Sequence, residues 1–126
     1  MRVARLVGLG LVVTGLACSK DSTSYGGGGG GGGGGGIPPP AANQVYMQGT
    51  AFNPSTRTVT VGTTVEWVNQ DPFAHTTTRS ASPETWDSGT LNAGGRFSRL
   101  FNTAGSFSYI CNIHGVAMSG TIVVNP

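Results

Sequence analysis

From Gln44 to the C-terminus, hydrophobic and polar residues alternate in short runs separated by turn residues. Thr58-Val59-Thr60-Val61 stops at Gly62, and Val65 and Trp67 alternate with Thr64 and Glu66 before Asn69-Gln70-Asp71-Pro72. Phe107, Tyr109 and Cys111 share one side of a later run, with Ser106, Ser108 and Ile110 on the other; Ile122 and Val124 alternate in the last. A period of two marks a strand with one buried face. Arg96 to Phe101 is less regular, because Arg99 falls on the face of Phe97 and Phe101; a bulge or an exposed strand end would accommodate it. Roughly six to eight short strands predict an all-β fold, a small antiparallel-rich sandwich of two sheets.

Composition supports this. From Asn43 onward there are thirteen Thr, eight Val and three Ile, against two Leu, two Glu and no Lys. β-Branched residues favour strands, and good helix formers are almost missing. Met47 lies in the first apolar run and is expected in the core.

The chain of 126 residues contains less folding material than its length suggests, because Gly26 to Gly36 are eleven consecutive glycines. Polyglycine has no side chain to bury and maximal backbone freedom, so residues 18–42 read as a tether, stiffened by Pro38-Pro39-Pro40. A flexible chain of that length reaches roughly 25–30 Å. A phosphate-binding glycine loop would need a strand before it and a helix after it, and neither is predicted. Residues 43–126 are the domain.

Residues 1–17 carry Arg2 and Arg5, then an uncharged apolar run from Leu6 to Ala17. About a dozen residues fall short of the ~20 that cross a bilayer, so this is a signal peptide. Its end, Thr14-Gly15-Leu16-Ala17-Cys18, resembles the bacterial lipoprotein signal, with Gly15 where leucine is usual. That resemblance implies a lipidated Cys18; the alternative is a plain secretory signal cleaved near Ala17. Either way the domain is expected outside the cytoplasm, and with lipid it faces the periplasm if the cell has an outer membrane.

The formal charge of +2 belongs to the leader. In the domain Arg57, Arg79, Arg96 and Arg99 balance Glu66, Asp71, Glu84 and Asp87, a poor footprint for nucleic acid. Two histidines and two cysteines, one of them Cys18, exclude a four-cysteine zinc site, an iron–sulfur cluster and a Cys-x-x-Cys-His haem attachment.

The informative stretch is Tyr109-Ile110-Cys111-Asn112-Ile113-His114-Gly115-Val116-Ala117-Met118. It places a thiolate, an imidazole and a thioether on one tight loop. Two histidines, a cysteine and a weak methionine form the blue-copper donor set, and His75 is the remaining histidine. Spacing alone does not bring His75 to the loop. Taken singly, Cys111 and Met118 read better as core residues and His75 as a loop residue; it is the joint set that points to copper.

The landmarks Phe52-Asn53-Pro54, Val59-x-Val61-Gly62-x-x-Val65-x-Trp67-x-Asn69-x-Asp71-x-x-x-His75, Asp87-Ser88-Gly89, Phe101-x-x-x-Gly105-x-Phe107-x-Tyr109-x-Cys111-x-x-His114 and Met118-x-Gly120-x-Ile122-x-Val124 resemble the cupredoxins, in order along the whole domain. The resemblance, nearest to plastocyanin and amicyanin, implies a Greek-key β-sandwich of about seven to eight strands. It also implies one type 1 copper ion held by His75, Cys111, His114 and Met118. Three residues separate His114 from Met118, between the spacings of amicyanin and plastocyanin. Ile110 stands where plastocyanin has an aromatic entry point for electrons.

The resemblance further suggests that Thr76, where the family often has Asn, helps tie the two ligand loops together; an ordinary strand position is the plainer reading. At Asn112, a backbone N–H to the thiolate would raise the potential. The implied function is one-electron transfer between redox protein partners, without catalysis, by a monomer. Electrons would leave through His114 and an apolar surface of Gly115, Val116, Ala117, Pro72, Phe73 and Ala74. A copper-handling role in storage, delivery or sensing is the alternative, and the tether lacks the Met and His ligands it would use. Two histidines do not supply the extra copper sites of nitrite reductases or multicopper oxidases.

Overall fold

The structure, a computed structural model, describes residues 36–126. The expected signal peptide, Cys18 and most of the expected tether lie outside the described residues. Among the described residues, nine strands form two sheets. One sheet holds β1 (Gln44–Met47), β2 (Phe52–Asn53), β4 (Thr63–Asn69) and β7 (Arg96–Phe101) in the order β2-β1-β4-β7. The other holds β3 (Thr56–Thr60), β5 (Thr78–Arg79), β6 (Trp86–Asp87), β8 (Gly105–Cys111) and β9 (Gly115–Asn125) in the order β3-β9-β8-β5-β6. The chain changes sheet after β2, β3, β4, β6 and β7, so neighbours in sequence are often not neighbours in space. This is the all-β sandwich that the alternation predicts. No helix among the described residues is long and apolar enough to cross a membrane.

Two pairings depart from a purely antiparallel plan: β1 runs parallel to β4, and β3 parallel to β9. Parallel neighbours require crossover connections, which here are the changes of sheet.

The core lies between the sheets. Val45, Met47, Val65, Trp67 and Phe101 enter it from one side, and Phe107, Tyr109, Cys111, Met118, Ile122 and Val124 from the other. Trp67 is fully buried at its centre, with the rings of Trp86, Phe97, Phe101 and Tyr109 at centroid distances of 5.5–6.3 Å. The irregularity at Arg99 has a different origin from a bulge, for β7 pairs with β4 from Thr63↔Phe101 to Val68↔Arg96 without a register shift. Arg99 keeps its inward direction. Its guanidinium lies over Trp86 at 5.2 Å and Phe101 at 5.6 Å and pairs with Glu84. Ring faces and a carboxylate replace the water this cation gives up.

Candidate metal centre

Three segments meet at one end of the sandwich. The first is the loop after β4. Asn69, fully buried, accepts the Asp71 N–H on Oδ1 at 2.9 Å and donates through Nδ2 to the carbonyls of Phe73 (2.8 Å) and Leu91 (2.9 Å). His75 then exchanges two backbone hydrogen bonds with Leu91, at 3.0 and 2.8 Å, and its side chain is fully buried. The second segment is the end of β8, where the alternation delivers Cys111 to the inner face. The third is the turn into β9. His114 N–H donates to the Cys111 carbonyl at 3.2 Å, and Gly115 follows with φ of +62°, a conformation that favours glycine.

Cys111 Sγ lies 3.4 Å from His114 Nδ1 and 3.8 Å from His75 Nδ1, and the three donor atoms lie within 4.8 Å of one another. Bonds of about 2.0–2.1 Å to nitrogen and 2.3 Å to sulfur around one ion put the sulfur roughly 3.6–3.8 Å from each nitrogen. The spacing therefore fits a single metal ion, and imidazole with soft sulfur suits copper. Met118 is fully buried in the same core cluster as Cys111. The β8–β9 register jumps from Ile110↔Ser119 to Cys111↔Gly115. One step on β8 is thus matched by four on β9, and Val116, Ala117 and Met118 form the bulge.

The surrounding hydrogen bonds fix the donors. His75 Nε2 lies 2.8 Å from Asp71 Oδ2, which leaves Nδ1 facing Cys111. The Asp71 carboxyl is held below its usual range: burial pushes it up, but N–H donors from Gly49, His75 and Thr50 outweigh that. Thr76 N–H donates to Cys111 Sγ at 3.3 Å, and Thr76 Oγ1 accepts the Asn112 N–H at 2.8 Å. Thr76 thus joins the two ligand loops at both its backbone and its side chain. The Asn112 N–H goes to that hydroxyl, not to the sulfur, whose backbone donor is Thr76. The Thr76 hydroxyl lies 3.1 Å from that of Thr78, which donates to Asp87 at 3.2 Å. The Asp87-Ser88-Gly89 landmark is stitched to the same threonines, since Thr77 N–H donates to Ser88 Oγ at 2.9 Å.

Around the half-buried His114, Pro72, Phe73, Val116 and Ala117 are exposed, while Ala74 and Gly115 are half-buried. The Phe73 ring lies 5.2 Å from that of His75 and 6.1 Å from that of His114. Sequence reasoning missed two members of this end. Ile113 is half exposed, and its neighbours in the motif could have flagged it. Asp71 holds His75; the Asp-x-x-x-His spacing was visible, and ligating histidines commonly donate to a carboxylate.

The family described as copper binding proteins, plastocyanin/azurin family, matches residues 41–125. The chain belongs to this family. It is a cupredoxin, with one type 1 copper ion as its cofactor and one-electron transfer as its function. It is 39% identical to a plastocyanin from Scenedesmus fuscus over 87 residues, covering 58% of this chain and 85% of that protein. A purple cupredoxin from Nitrosopumilus maritimus is similar in structure (TM-score 0.59, 26% identity, 65% of this chain and 98% of the other). So is a point mutant of amicyanin in its oxidised state (TM-score 0.61, 25% identity, 65% and 80%). A copper-containing nitrite reductase from Thermus scotoductus matches at TM-score 0.62 and 34% identity over 71% of this cupredoxin, which spans only 23% of that enzyme.

Proposed function

We propose that this cupredoxin carries single electrons between protein partners outside the cytoplasmic membrane, with His75, Cys111, His114 and Met118 as its copper ligands. The observation that carries the ligand assignment is the convergence of Cys111 Sγ, His75 Nδ1 and His114 Nδ1 from segments 36 positions apart in sequence. Copper held by these residues would supply one-electron chemistry, taking an electron from a donor as Cu(II) and giving it to an acceptor as Cu(I).

The chain's own contribution is rigidity. His75 is fixed by Leu91 and Asp71, and Cys111 by the sheet and by Thr76, so the donors need not rearrange when charge changes. The Thr76 N–H withdraws density from the thiolate and favours the reduced state. Phe73 and the buried Met118 keep water from the donors. His114 is the donor nearest solvent, so its ring is the exit toward a partner seated on Pro72, Phe73, Val116 and Ala117. The chain has two histidines, both in this site, so no substrate-converting copper centre is proposed for it.

The apolar leader supports export, and the cysteine after Ala17 supports lipid attachment at Cys18. Residues 18–42 would then hold the domain of residues 43–126 above the membrane. The copper-loaded, oxidised domain is expected to be intensely blue. Cys111→Ser should erase the colour, because a hydroxyl is too weak an acid to replace a thiolate, and His75→Ala should abolish normal copper binding. A colourless copper complex of the unaltered domain would refute this function.

A further inference from the structure

Asp71 is the only carboxylate among the buried side chains of the described residues, and both its oxygens are used. Oδ1 accepts the Gly49 N–H at 2.8 Å; Oδ2 accepts the Thr50 N–H at 3.2 Å and lies 2.8 Å from His75 Nε2. Gly49 and Thr50 are the central pair of the turn between β1 and β2, closed by hydrogen bonds between Gln48 and Ala51 at 2.9 and 3.3 Å. Their φ angles are +62° and +60°. Positive φ at both positions suits the twist of a hairpin, but for a β-branched residue such as Thr50 it is strained. Among the described residues, Thr50 is the one non-glycine residue with this conformation.

The strain persists because two successive N–H groups converge on one carboxylate, a backbone arrangement suited to an anion. That same carboxylate accepts the His75 Nε2–H. The bond sets the tautomer, with the proton on Nε2 and the lone pair on Nδ1 toward Cys111 and His114. A metal ion on Nδ1 draws density from the ring and makes Nε2–H a stronger donor.

We propose that Asp71 is a positioning residue that couples copper binding at His75 to the order of the Gly49–Thr50 turn. The inference rests on His75 being a copper ligand, as in the proposed function. The turn would tighten when the site fills. In addition, the negative charge beside the ligand ring favours Cu(II) over Cu(I) and lowers the potential.

The test uses the full chain, metal-free and loaded with Cu(I), followed by backbone amide exchange. Gly49 and Thr50 are expected to exchange at least about tenfold more slowly when loaded. The Val61 amide, which donates to Asn125 at the opposite end of β9, is expected to change little. In Asp71→Asn the loading effect at Gly49 and Thr50 should vanish. The potential should also rise by about 59 mV, a tenfold shift between the oxidation states. Thr50→Gly relieves the φ strain and keeps the carboxylate, so its potential should stay unchanged. A blue protein whose Gly49 and Thr50 amides ignore copper overturns the coupling alone, and this measurement on the unaltered chain decides even if Asp71→Asn fails to fold. An unchanged potential in a folded Asp71→Asn protein overturns the charge effect. A chain that takes up no copper, or stays colourless with it, overturns the proposed function as well.

Discussion

Thr76 shows how one residue can keep a role while changing its chemistry. Its backbone N–H reaches the Cys111 sulfur, and its hydroxyl reaches the Asn112 N–H, so a short β-branched side chain makes the tie between the loops. Met118 offers a sharper test at this scale. It is fully buried, so its thioether has no water to lose when a metal binds. An axial thioether is a weak, long ligand that tunes the potential more than it holds the ion. Met118→Leu, close in volume, should keep copper and colour but raise the reduction potential, because loss of sulfur donation disfavours Cu(II). Voltammetry checks the shift; loss of the metal would show that Met118 holds the ion rather than tunes it.

At the scale of elements, β8 and β9 carry the site, and their pairing depends on one missing side chain. Tyr109 and Gly120 are direct cross-strand partners. A Cβ at position 120 would lie 2.6 Å from both Cζ and Oη of Tyr109. The ring has little room to retreat, because it packs edge-on against Phe52 at 4.6 Å and Trp67 at 5.5 Å. Gly120→Ala should therefore destabilise the domain by about 1–3 kcal/mol, the usual range for overpacking. For a domain of this size each kcal/mol lowers Tm by about 4–8 °C. A thermal melt of the metal-free protein measures this, and an unchanged Tm would mean that the ring slides without cost. Since Cys111 is two residues along the same face, the visible spectrum of the copper form should also shift.

At the scale of the whole molecule, charge is evenly spent. Arg96 pairs with Glu66 and Arg99 with Glu84, and the domain nets to zero. The copper end is apolar instead: Val116 is 83% exposed, Ile113 51% and Phe73 45%. Long-range steering should be weak and contact apolar. Electron exchange with the physiological partner is expected to change little with ionic strength, and Val116→Glu should slow it clearly while copper stays bound. Stopped-flow rates across a salt series would expose a steep salt dependence, which would place the docking face elsewhere. Anchoring is tested separately. Mass spectrometry of the mature protein should find two or three acyl chains on Cys18, enough for stable attachment where one is marginal. A mature protein without lipid would leave only the plain secretory leader.

Strand identity was legible in the sequence because alternation is local: Val65 and Trp67, or Phe107, Tyr109 and Cys111, need only their neighbours to declare a face. The donor types were legible because the domain has one cysteine and two histidines. Pairing was not. Whether β1 lies beside β4 or β3 beside β9, and whether His75 meets Cys111, depends on which distant strands share a sheet. Arg99 read as an irregularity because its partners, Trp86 and Glu84, come from outside its own strand. Asp71 read as part of a turn because its donors at Gly49 and Thr50 lie more than twenty positions away. Each of these contacts joins residues far apart in the chain, and such contacts exist only once the two sheets have closed over one core.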